Sequence, residues 1–114
     1  MSWLNKPIDR ALERPGCTAD ELFDGIMIAR GGASVQAMFP RARVDAFWRS
    51  SAGALQAVFE IAFFDDETHQ LAVGALQNVA VTWKNGTEWT EQFEQQLREA
   101  AREAVEIATK GEAP

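Results

Sequence analysis

The sequence contains few of the residue types that carry chemistry in most enzymes. Among its 114 residues there are one cysteine, one histidine and no tyrosine. A single cysteine, Cys17, excludes an intramolecular disulfide, which fits a reducing compartment. Cys17 precedes a predicted helix, and a helix N-terminus favours a thiolate, but a catalytic thiol needs a base and only His69 is available. We therefore expect Cys17 to be an ordinary loop or core residue.

Long apolar runs are also missing. The N-terminal residues lack the charged start and apolar stretch of a signal peptide. No apolar stretch approaches the roughly 18 residues that a membrane-spanning helix needs. We therefore expect a cytoplasmic protein without a membrane partner. The length is that of a single domain, residues 1–114, and suffices for one hydrophobic core.

No recognisable metal-binding or cofactor-binding motif is present. Asp65, Asp66, Glu67 and His69 are all of ligand-forming types, but they match no known spacing of zinc or calcium ligands. The glycine pair Gly31-Gly32 follows a predicted helix, whereas a phosphate-binding loop precedes one. The expectation is a protein without metal, cofactor or enzymatic activity.

The negative charge is concentrated in the second half of the chain. Residues 1–60 contain seven Lys/Arg and seven Asp/Glu, whereas residues 61–114 contain four and ten, which accounts for the net charge of −6. An acidic half disfavours direct binding to nucleic acid or to an anionic membrane. It would suit a basic protein partner, although solubility alone also explains such a charge.

The N-terminal third predicts two short helices. The first would be capped by Asn5 and end at Pro15-Gly16. The second would begin with a capping box, in which the Thr18 side chain and the Glu21 carboxylate each bind a free backbone N–H. The glycines 31–32 would end this second helix in a left-handed conformation.

The middle of the chain predicts strands, with one ambiguity. Residues 33–39 alternate weakly before a proline and are interpreted as a short edge strand. Residues 41–49 fit no single element, and residues 53–64 fit a helix or a strand by periodicity. We favour a strand for 53–64, because its aromatic and β-branched residues cluster before a turn at 65–68. Residues 71–76 would then return as an antiparallel strand.

An Asn-Gly pair predicts a hairpin later in the chain. Asn85-Gly86 lies between alternating apolar residues, the strongest short-range hairpin signal. A three-residue loop would pair Trp83 with Thr87 and place Trp83 and Trp89 on one buried face. A two-residue loop would send the two indoles to opposite faces, so burial favours the longer loop.

A long amphipathic helix is predicted to follow Thr90. Apolar residues recur at spacings of three and four and form one stripe: Phe93, Leu97, Ala100, Ala104 and Ile107. This stripe is expected to cover the sheet. The predicted fold class is therefore α+β, with two short N-terminal helices, an antiparallel sheet of four to five strands and a long C-terminal helix on one sheet face.

The candidate binding residues are two tryptophans and a basic cluster. Trp3 and Trp48 have polar or irregular surroundings, and tryptophan is enriched at protein interfaces. Arg41, Arg43 and Arg49 lie near Trp48 in sequence and would suit an anionic group. The favoured function is a small acidic non-catalytic interaction module, such as an adaptor, chaperone-like factor or inhibitor. It would bind a larger protein, and pairing of residues 33–39 with a second copy would give a homodimer.

The alternative function is a small-ligand-binding domain or small enzyme. The sheet would curl around a pocket for a small ligand or substrate, lined by Phe59, Phe63, Trp83 and Trp89. Asp65, His69 or an arginine would lie at its mouth. A cavity with convergent polar groups would favour this alternative, and a filled core would count against it.

Overall fold

The protein has an α+β fold in a computed structural model that describes residues 13–31, 34–64, 77–84 and 88–110. The elements follow in chain order: β1 (Glu13–Pro15), α1 (Ala19–Ile28), a 3-10 turn (Ala29–Gly31), β2 (Ser34–Phe39), β3 (Ala42–Ser51), β4 (Ala54–Phe63), β5 (Gln77–Lys84) and α2 (Glu91–Lys110).

The five described strands form one sheet in sequence order. β1 runs parallel to β2, and every later neighbour pair is antiparallel. The sheet is therefore mixed, which corrects the expectation of a purely antiparallel sheet. The parallel strand is short and includes Pro15. Its position at the edge of the described sheet agrees with the absence of a backbone donor on proline.

Both described helices pack on the same face of the sheet. Side chains alternate between the faces of a strand, so β4 directs Ala57, Phe59 and Ile61 towards the helices, where all three are fully buried. Leu22 of α1 and Leu97 of α2 belong to the same continuous core. On the opposite face, Val58 and Ala62 are buried beside half-buried polar side chains of β3.

The capping box of α1 is confirmed. The Glu21 backbone N–H donates to Thr18 Oγ1, and the Thr18 backbone N–H donates to Glu21 Oε1 at 2.9 Å. The helix ends earlier than predicted, however. Its last residue is Ile28, and Ala29 caps it with right-handed backbone angles before the 3-10 turn. A 3-10 turn tightens a helix end without needing a left-handed glycine.

One prediction for the N-terminal third was wrong, and another is corrected only at its end. Residues 33–39 are not an edge strand, because β2 pairs with β1 on one side and with β3 on the other. The first predicted helix falls largely on residues 1–12, outside the described residues. At its expected end, Glu13–Pro15 forms a strand instead. Long-range pairing with β2 therefore prevails over the local helix signal.

The ambiguous middle of the chain consists of two long strands. Residues 42–51 form β3, and the choice of strand for residues 53–64 is confirmed by β4. The two strands are joined by Ala52 and Gly53, whose φ angles are 49° and 77°. Two left-handed residues in succession are typical of a tight hairpin turn that matches strand twist. The predicted strand at 71–76 lies outside the described residues.

The predicted pairing of Val81 with Trp89 is wrong, because residues 88–90 have no regular structure. β5 pairs instead with β4 along its whole length, with Val81 opposite Ala57. The turn at Asn85-Gly86 and the predicted pair of Trp83 with Thr87 lie outside the described residues. The predicted proximity of the two tryptophans nevertheless holds, because the ring centroids of Trp83 and Trp89 are 5.5 Å apart on the helix-covered face.

The predicted C-terminal helix is confirmed. Thr90 Oγ1 accepts a hydrogen bond from the Phe93 backbone N–H, which identifies Thr90 as the N-cap. The predicted stripe from Phe93 to Ala104 is buried, and Ile107 is partly buried. Within the described ranges, neither helix is long and apolar enough to cross a membrane.

Candidate functional site

The predicted binding arginines lie on or near the sheet face away from the helices. Arg43 Nε donates to Asp45 Oδ2 at 2.9 Å, and an Arg49 guanidinium nitrogen donates to Gln56 Oε1 at 3.3 Å. Arg41 lies in the turn between β2 and β3. Arg43 and Arg49 are therefore engaged with neighbouring side chains of the same sheet face.

Trp48 lies on the opposite face of β3 from these arginines. Its indole Nε1 donates to the Ile26 carbonyl oxygen at 2.8 Å, and its ring meets Trp83 edge to face with centroids 6.2 Å apart. Trp48 thus ties β3 to the end of α1 and is half-buried. Trp3 lies outside the described residues. The structure does not bring Trp48 together with Arg43 and Arg49.

An aromatic cluster fills the end of the core instead. Trp83 contacts Trp89 and Phe93 with centroid distances of 5.5 and 5.7 Å, and Trp89 meets Phe93 at 4.7 Å. The guanidinium of Arg30 lies 3.9 Å from the Trp83 ring centroid and 5.6 Å from that of Trp89. Sequence reasoning missed Arg30, because the 3-10 turn that carries it has no sequence signal of its own.

A groove runs along the outer side of β5, between that strand and α2. Its volume is about 410 Å³. The lining residues come from four consecutive positions of the strand and one flank of the helix: Val79, Ala80, Val81, Thr82, Gln96, Glu99, Ala100 and Glu103. The helical residues are spaced by three and four positions, so they share one face of α2.

The groove lining is acidic. Glu99 and Glu103 both line it, and no lysine or arginine does among the residues that the structure describes. Arg102 approaches Glu99 at 3.9 Å, with both side chains more than half exposed. A contact of this length in water contributes little, so it leaves the Glu99 carboxylate available to a better-placed cation.

Strand β5 lies at one edge of the described sheet, beside this groove. Among the described residues it pairs only with β4, so it is the outermost of the five described strands on this side. Alternate residues of an edge strand direct their N–H and C=O groups away from the neighbouring strand. The groove therefore combines apolar side chains, two carboxylates and backbone groups that pair with no other described residue.

The described residues contain no arrangement that indicates catalysis. No three of their His, Cys, Asp or Glu side chains cluster as metal ligands do. Burial, reinforced by the nearby Glu21 carboxylate, raises the pKa of the Cys17 thiol above its ordinary value. Cys17 is therefore a protonated, buried thiol at neutral pH. The acidic segment Asp65–His69 lies outside the described residues.

The sequence contains signals for both sides of the groove, but it does not indicate that the two sides meet. Gln96, Glu99 and Glu103 share a helix face beside the apolar stripe, and the alternation of β5 is visible in Val79, Val81 and Trp83. What the sequence does not reveal is that this helix flank lies beside the outer edge of β5.

Comparison with protein-family models, curated proteins and solved structures finds no match for this chain.

Proposed function

We propose that this protein is a non-catalytic interaction module that binds a larger protein partner through the groove between β5 and α2. The observation that carries the proposal is the outer edge of β5, which pairs with none of the described residues on that side and is bordered by the exposed carboxylates of Glu99 and Glu103. Exposed strand edges are a recurrent site of protein recognition, since their backbone groups need partners. The acidic lining favours a basic partner. A cytoplasmic location belongs to the same proposal.

Packing under the sheet favours this proposal over the ligand-binding alternative. Phe59 is fully buried, and Trp83 is 7% exposed and surrounded by aromatic rings and Arg30. These two side chains were expected to line a pocket, but they fill the space between sheet and helices. The homodimer stays a prediction, and its original argument, a free edge at β2, no longer applies because both sides of β2 are paired.

Site-specific photocrosslinking in extracts of the source cells tests the proposal. A photoreactive residue at position 82 lies in the groove, and the matched control at position 24 is exposed on α1. We expect one protein to crosslink from position 82 and not from position 24, with excess unmodified chain preventing the reaction. The purified partner should then bind the purified chain in calorimetry. No adduct from position 82, or equal adducts from both positions, would contradict the proposal.

A further inference from the structure

The outer edge of β5, which no described strand occupies, can accept one more strand. β5 contributes eight residues paired to β4, so its outer edge offers backbone donors and acceptors along the same length. An extended segment lying about 4.8 Å from β5 would satisfy them with main-chain hydrogen bonds. Such addition needs no rearrangement of the described sheet.

The dimensions of the groove match a short strand. The helix flank from Gln96 to Glu103 spans about 10 Å at a rise of about 1.5 Å per residue. The strand segment from Val79 to Thr82 also spans about 10 Å, at about 3.4 Å per residue. About four residues of an added strand would therefore lie between β5 and α2, with every second side chain directed at the helix.

The charge of the groove selects the side chains that would lie there. A lysine or arginine directed at α2 can pack its aliphatic stem against Val81 and Ala100 and present its charge to Glu99 and Glu103. An acidic side chain in that position would meet two carboxylates and no cation of the lining. The groove thus discriminates by charge between otherwise similar extended segments.

We infer that the occupant of the groove is an extended basic segment of a partner protein, which adds a sixth strand to the sheet beside β5. The inference rests on the proposed function and names the class of partner segment and its mode of binding. Basic side chains at alternate positions face α2, and the main chain pairs with β5.

A second copy of this chain is the less favourable occupant. If two β5 strands paired antiparallel, edge to edge, about a twofold axis normal to the sheet, both α2 helices would lie on the same side of the joined sheet. Glu99 and Glu103 of the two copies would then approach one another across the junction. Like charges brought together in this way oppose association, whereas a basic segment neutralises them.

Synthetic peptides test the mode of binding. The probe is a fluorescein-labelled eight-residue peptide in which lysine and threonine alternate, and its binding to the full chain is followed by fluorescence anisotropy at low salt. A glutamate–threonine peptide is the charge control. Two further peptides carry N-methyl groups on either the odd-numbered or the even-numbered amides. Only one of these sets faces β5 in an added strand, so we expect one methylated peptide to lose at least about tenfold in affinity and the other to bind normally.

Two variants of the chain test the charge. The double variant Glu99→Gln/Glu103→Gln should weaken binding of the lysine peptide by about fivefold, since it removes two exposed ion pairs of modest strength. Asp24→Asn, which removes one exposed carboxylate from α1, should leave the affinity within about twofold. Far-UV circular dichroism verifies that each variant remains folded.

The outcomes separate this inference from the function on which it rests. Absence of lysine-peptide binding, equal effects of the two methylated peptides, or no effect of the glutamine variants overturns the added strand. A concentration-dependent dimer in sedimentation velocity that the peptide cannot displace identifies a second copy as the occupant, and also overturns it. If the photocrosslink at position 82 persists in any of these cases, only the binding mode fails. If the crosslink is absent too, the proposed function fails with it.

Discussion

Replacing Trp83 by alanine is the sharpest test of the architecture. Trp83 is 7% exposed and contacts three other aromatic rings, from β3, from the segment before α2 and from α2 itself. Truncation of a buried tryptophan costs about 3–5 kcal/mol, because both its burial and its packing are lost. The free energy of unfolding of a small domain is only about 5–15 kcal/mol, so the variant should remain folded but with a much lower free energy of unfolding.

Urea unfolding followed by far-UV circular dichroism measures this loss without depending on tryptophan fluorescence. With a denaturant slope of about 2 kcal/mol per M, the midpoint should fall by roughly 1.5–2.5 M. Lys84→Ala, an exposed neighbour on β5, should change the free energy of unfolding by no more than about 0.5 kcal/mol. If Trp83→Ala lowered the free energy of unfolding by less than about 1 kcal/mol, similar to the Lys84 variant, the aromatic cluster would not stabilise the packing of α2 on the sheet.

The stacking of Arg30 on the same ring is measured by a double-mutant cycle. The variants are Arg30→Gln, Trp83→Leu and their combination, which together isolate the interaction between the guanidinium and the indole. A coupling free energy of about 0.5–1 kcal/mol is expected for an exposed cation over a tryptophan ring. Additive effects of the two substitutions would show that the stacked arrangement does not contribute to stability.

Three further substitutions test separate parts of the fold. Leu97→Ala empties a fully buried position and should cost about 2–5 kcal/mol in urea unfolding, whereas exposed Gln96→Ala should cost almost nothing. Ala52→Asn should raise the unfolding midpoint, since asparagine tolerates the left-handed backbone better than alanine, and a lower midpoint would contradict the turn geometry. Hydrogen bonds from Thr18 lower the pKa of Glu21 in the folded state. The Glu21 carboxylate therefore stabilises the fold above its unfolded-state pKa of about 4.3, and this stabilisation is lost as the pH falls through the folded-state pKa. Glu21→Gln should therefore flatten the pH dependence of stability below about pH 5, and an unchanged profile would contradict the capping box.

The elements with strong local signals were predicted correctly from sequence. The capping box at Thr18 and the periodic stripe from Phe93 onward each depend on neighbours within one or two helical turns, and both are present as expected. The strand at residues 54–63 was also identified, because aromatic and β-branched side chains favour a pleated surface.

Pairing over long sequence distances could not be read from the sequence in the same way. Asn85-Gly86 indicated a local hairpin, yet β5 pairs with β4, whose partner residues lie more than fifteen positions earlier. The parallel contact of Glu13–Pro15 with β2 likewise has no local signature. The two-residue turn at Ala52-Gly53 was missed since alanine seldom adopts a left-handed conformation.

The candidate site was missed for the same reason. Arg43, Arg49 and Trp48 are close in sequence, but a strand places consecutive side chains on opposite faces, so Trp48 is separated from both arginines. The groove instead joins β5 to the middle of α2, two elements linked by a short segment and aligned only in three dimensions. The sequence shows Glu99 and Glu103 on one face of the predicted helix, but it does not indicate that they lie beside β5.

Mapping peptide binding by nuclear magnetic resonance tests the central claim most directly. Backbone amide shifts of the full ¹⁵N-labelled chain are recorded during titration with the alternating lysine–threonine peptide. The account predicts perturbations concentrated in Val79–Thr82 and along the Gln96–Glu103 flank, with protection of outward β5 amides from hydrogen exchange. Perturbations concentrated on the sheet face that carries Arg43 and Arg49, or none at all, would contradict it.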